Sequence, residues 1–147
     1  MAIHGFLRGE GPDGVGRLFD DVLAFDDSTL ERRHDFIQWL FPLREPSGAV
    51  SGSPVLSASD VQALREDPLV VSNLRMAAAR MAEFYARSAH WLRPADHNHL
   101  RITRIVRSLR LLVDDDDADA FMQLILELVR ASGAAINPTA LRYWGQA

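Results

Sequence analysis

"DDDDADAFMQLILELVRASG", residues 114–133, decides the fold class. Phe121, Leu124, Ile125, Leu128 and Val129 recur at i, i+3, i+4, i+7 and i+8, which places them along one side of an α-helix. Asp114–Asp117 precede them, where carboxylates accept first-turn N–H groups and favour the positive end of the helix dipole. Gly133 follows, a residue type suited to the left-handed conformation that ends many helices. Working back, "DHNHLRITRIVRSLRLLV" (96–113) predicts another helix, capped by Asn98 and apolar at Leu100, Ile102, Ile105, Val106, Leu109 and Leu112. Asp67-Pro68 opens a long one reaching about Trp91, with Leu74, Ala78, Met81 and Tyr85 on its inner side. Ser57 and Asp60 form a weak capping box for a shorter helix, and Asn137-Pro138 starts a last one through Trp144.

The N-terminal half follows the same pattern less cleanly. Leu18, Phe19, Val22 and Leu23 predict a helix over Val15–Phe25. Ser28 and Glu31 read as a capping box for a helix over Thr29–Phe41, halted by Pro42. Leu30, His34, Ile37 and Phe41 share one face of that helix, flanked by Phe36, Trp39 and Leu40, so it is expected near the centre of the fold. Residues 1–14, rich in glycine, read as a loosely ordered lead-in, and residues 42–54 as a Pro/Gly/Ser loop. No strand pattern competes. The expectation is an all-α fold: a single compact helical domain over residues 1–147, with about seven helices.

A chain of 147 residues, 48% hydrophobic and 24% charged, has the composition of an ordinary globular protein able to bury about 70% of its unfolded surface. It contains no cysteine, which excludes disulfides, thiolate nucleophiles and zinc-thiolate sites, and fits a reducing, cytoplasmic setting. No stretch has the length and apolarity of a transmembrane segment or a secretory signal. All 16 basic residues are arginine against 20 acids, and the net charge of −4 argues against general polyanion binding. No phosphate-binding glycine loop and no recognisable Ser–His–acid context occurs, so the chain reads as a non-enzyme with no cofactor.

Two segments, "LERRHDFIQWLFPLREP" (30–46) and "HNHLRITRIVRSL" (97–109), resemble in order and spacing the conserved N-terminal domain of the opioid growth factor receptor family. The first match carries onto His34 and the run Phe36 to Pro46. The second carries onto His97, Asn98, the run Leu100 to Ile105, Ser108 and Leu109. The resemblance covers about residues 26–147, and the lysine-free composition looks like a bacterial-type homologue. It implies a binding role, in the family's name for a peptide.

His34 and Gln38 lie in the most apolar helix pattern, and buried polar groups left unpaired cost about 1–3 kcal/mol each. The second block offers polar partners in Asn98, Arg101, Thr103 and Arg104. Two readings stand: a network that fixes helix register, or a site that His34, Gln38, Trp39, Arg44, His97, Asn98, Arg101 and Arg104 border. In the second, the arginines would meet a small anionic ligand or a peptide or protein partner. The alternative function is nucleic-acid binding by helix 98–112, but arginines spaced by three drift by about 60° per step and form no single stripe. His97 and His99, at i and i+2, do not share a helix face and imply no metal.

Overall fold

A computed structural model describes residues 2–48 and 50–147. Among them are nine helices: α1 (Ala2–Leu7), α2 (Phe19–Leu23), α3 (Asp27–Arg32), α4 (Ile37–Leu40), α5 (Ala58–Arg65), α6 (Pro68–Arg87), α7 (Asn98–Leu112), α8 (Asp115–Ser132) and α9 (Pro138–Gln146). The only strand-like feature described is an isolated bridge between Leu43 and Val55. The fold is all-α. It divides into two compact units, Met1–Ala77 and Ala78–Ala147.

In the first unit, residues expected as a loose lead-in contain α1, which buries Ile3, Phe6 and Leu7. The Phe6 ring packs edge-on against Phe19 and Trp39, and Asn73 Nδ2 donates to the Leu7 carbonyl across 2.8 Å. Distant residues hold this helix, which is too short to persist on its own. The chain leaves α1 through Gly9, whose φ of +80° lets residues 9–11 donate back to the carbonyls of Phe6 and Gly5.

The helix expected over Val15–Phe25 is confined to Phe19–Leu23. The one expected over Thr29–Phe41 is broken in two, and its cap is Asp26, accepting from Thr29 N, rather than Ser28. Arg33 is extended, with ψ 137°. Arg17 donates to both the carboxylate and the carbonyl oxygen of Asp35, and the Trp39 N–H turns to the Phe36 carbonyl instead of one residue earlier. Beyond the break, Phe36, Ile37, Leu40, Phe41 and Leu43 are all buried.

In the second unit α7 packs on α8 and α9. Ile102, Ile105, Val106, Leu109 and Leu112 meet a core that includes Ala118, Phe121, Met122, Ile125 and Trp144. Asp114 accepts from Asp117 N at the start of α8, and Gly133, φ +70°, ends it as its sequence predicts. Leu124, Leu128 and Val129 are half-buried, at the margin of that face. α6 stops at Arg87 rather than Trp91. The chain turns there, and the buried Trp91 indole donates to the carbonyls of Tyr85 and Ser88.

Candidate recognition site

A dense polar cluster lies where the α6–α7 connection enters α7. Asp96 has a side chain only 1% exposed, and its Oδ1 accepts from both the main-chain N and the Nδ2 of Asn98, each at 2.9 Å. Its Oδ2 accepts from Arg93. Burial pushes this carboxyl up, but the Asn98 hydrogen bonds, the neighbouring His97 and the Arg93 bond together hold it below the ordinary carboxylate range. Asp96 thereby satisfies the first N–H of α7 from just outside it; His97 holds the N-cap position, and Asn98, expected there, is the first helical residue.

Asn98 is fully buried and oriented on two sides. A carboxylate only accepts, so the amide nitrogen must face Asp96, and Oδ1 accepts from the Tyr85 hydroxyl at 3.1 Å. The Nε2 atoms of His90 and His97 approach that same amide nitrogen, at 3.5 and 3.4 Å. Both imidazoles are exposed. The buried His99 is a different case: its Nε2 bonds the Trp91 carbonyl at 2.8 Å, and its own carbonyl accepts from Trp144 Nε1. That histidine ties α9 to the start of α7.

The residues singled out in the sequence separate between the units. His97, Asn98, Arg101 and Arg104 lie in Ala78–Ala147, and the structure brings the first two together. Arg101 is buried and Arg104 half-buried, and both are engaged by other groups of the chain. His34, Gln38, Trp39 and Arg44 lie in Met1–Ala77. Gln38 Nε2 donates to the His34 carbonyl at 3.1 Å across the helix break, and among the described residues its buried Oε1 meets no donor. His34 is exposed, while the half-buried Trp39 packs against Phe6 and Gly14. Arg44 is exposed.

Tyr85, His90 and Asp96 belong to the cluster although sequence reasoning did not group them. Asp96 carried a local signal, an acid two residues before a helix start; Tyr85 and His90 carried none. The α7 arginines spread around the helix, with Arg101 buried, Arg107 exposed and Arg110 held by Asp115 and Asp119. They form no single exposed basic face. Among the described residues, no group of three or more His, Asp or Glu side chains is placed to hold a metal ion, and no helix is long and apolar enough to cross a membrane.

The model of the opioid growth factor receptor conserved region matches residues 12–147, starting earlier than the motif blocks. Opioid growth factor receptor-like protein 1 of Mus musculus is 31% identical over 155 residues, covering 90% of this chain and 33% of the relative. Opioid growth factor receptor of Rattus norvegicus is 32% identical over 152 residues, with 88% and 26% covered. The Homo sapiens receptor is 31% identical over 155 residues, with 88% and 22% covered. The chain thus spans a third or less of the length of these curated relatives. No solved structure matches it.

Proposed function

From the premise that the chain belongs to the opioid growth factor receptor conserved-region family, we propose that it is a non-catalytic binding module. Its ligand would be a small anionic molecule or a peptide or protein partner. The observation that supports this most is the arrangement at α7: two exposed imidazoles, His90 and His97, stand over a buried, mutually bonded Asn98–Asp96–Tyr85 layer. A rigid polar layer beneath exposed donors and acceptors lowers the entropy lost when a ligand is bound. Asp96, held ionised and fully bonded, is a poor general base, which favours recognition over catalysis. Relatives named as receptors point the same way. In this reading each unit offers its own candidate contacts: His97, Asn98, Arg101 and Arg104 in one, His34, Gln38, Trp39 and Arg44 in the other.

A thermal-shift panel of carboxylate and phosphate metabolites, peptides and short nucleic acids tests the reading. A ligand at a hundred times its Kd adds about 2.7 kcal/mol, a rise of several degrees in Tm. The shift is expected to disappear in His97→Ala, whose exposed side chain can be removed without opening the core. A panel without any shift would overturn the binding-module reading, and a shift that survives both His97→Ala and His90→Ala would overturn the assignment of the ligand to the α7 cluster.

A further inference from the structure

We infer that Arg44 is an anchor for an acidic segment of a protein partner, an inference that rests on the binding-module reading. The backbone leading to Arg44 is fixed. Phe41, Pro42 and Leu43 are buried, the Leu43 carbonyl accepts from Leu56 N at 2.9 Å, and Leu43 bridges Val55. Pro46 restrains the chain two residues beyond. Arg44 is therefore presented from an anchored stalk.

Among the described residues, Arg44 makes no hydrogen bond or ion pair through main chain or side chain. Most other arginines of the same unit differ. Arg8 holds Asp67 and Glu10, Arg17 holds Asp13 and Asp35, and Arg33, Arg65 and Arg75 are engaged elsewhere, while Arg32, on α3, shares with Arg44 the lack of a side-chain hydrogen bond or ion pair among the described residues. Acids are not scarce, since 20 face 16 arginines in the chain, yet none answers this guanidinium. Between Glu45 and Asp60 the sequence carries no charge at all. Val55, 50% exposed, stands across the bridge from Leu43 and adds an apolar contact beside the cation.

An uncompensated guanidinium on a restrained backbone is complementary to a carboxylate, which it bonds through two parallel N–H donors. One such bond is too little to hold a free metabolite, which needs an enclosing site. It suits a residue of a larger partner whose remaining area supplies the rest of the affinity. A single cation also falls short of what a polyanion requires, so nucleic acid is the disfavoured occupant.

The test is fluorescence polarisation of the full chain with a labelled octapeptide of alternating Glu and Val, a Gln–Val control and single-stranded oligothymidylate. Wild type is expected to prefer the Glu–Val peptide, and Arg44→Ala to weaken it about tenfold at an unchanged Tm, because no intrachain bond is lost. Arg44→Glu should abolish that binding and gain affinity for a Lys–Val peptide. Equal binding by wild type and Arg44→Ala, no Glu–Val binding by wild type, or Arg44-dependent binding of the oligothymidylate overturns the inference. A His97-dependent shift in the thermal panel would still stand in each of those cases, so the two readings fail separately.

Discussion

Arg17 and Asp35 meet twice: the guanidinium donates to the Asp35 carboxylate at 2.9 Å and to its carbonyl oxygen at 3.3 Å. The same side chain holds Asp13, whose carboxylate is wholly buried and also accepts from the main-chain N–H groups of Val15 and Arg17. One arginine thus closes the Asp13–Arg17 loop and keeps α3 apart from α4.

Removing it leaves a buried carboxylate without its counter-charge. Arg17→Ala is expected to destabilise the fold by about 3 kcal/mol. Urea denaturation measures this directly, and a midpoint equal to wild type would show that the loop closes without the ion pair.

Asp67 should govern part of the acid limb of stability. Hydrogen bonds from the His4 ring and from Arg8 hold its carboxyl well below the usual range, and Leu69 and Val70 N–H groups at the start of α6 add to them. A carboxyl depressed in the folded state stabilises above its unfolded value, about 3.9, and that contribution is lost as pH falls toward the folded one. Asp67→Asn should therefore be less stable than wild type at neutral pH, with the gap closing below about pH 4. Parallel melting curves from pH 7 to pH 2 decide it; a constant gap contradicts the linkage.

Asn98→Asp would set two carboxylates against each other, because Asn98 Nδ2 lies 2.9 Å from Asp96 Oδ1. Like charges at that distance raise the pKa of one member, so the variant should lose stability at neutral pH and recover part of it on acidification. Asn98→Leu should lose about 2 kcal/mol without recovery, having removed the acceptor of the Tyr85 hydroxyl bond and the Nδ2 donor to Asp96 while the main-chain N–H to Asp96 remains. Identical pH profiles for the two variants would argue against the orientation assigned to this amide.

At the end of α8, Gly133→Ala should cost about 1 kcal/mol, since φ is +70° and a Cβ there is strained although nothing crowds it. Calorimetry that finds the alanine variant as stable as wild type would mean the helix end can rearrange.

The legible parts of the fold are those whose deciding interactions span a few residues. Asp114 and Gly133 bound α8, Ser57 and Asp60 cap α5 with both bonds of the box formed, Asp67-Pro68 opens α6 and Asn137-Pro138 opens α9. Each is a contact of one helical turn, readable from spacing. The two motif blocks likewise identified the family before any contact was known. Tertiary structure alone decided the break between α3 and α4, because the group that captures the Asp35 carbonyl comes from a residue eighteen positions earlier. The same holds for α1, stabilised by Asn73 and Trp39, and for the α7 cluster, where Tyr85 reaches Asn98 only because the chain turns back after α6. Periodicity carries no record of such partners: a helix pattern states which side is apolar, whereas the chain's return path states which distant donor will compete for its carbonyls.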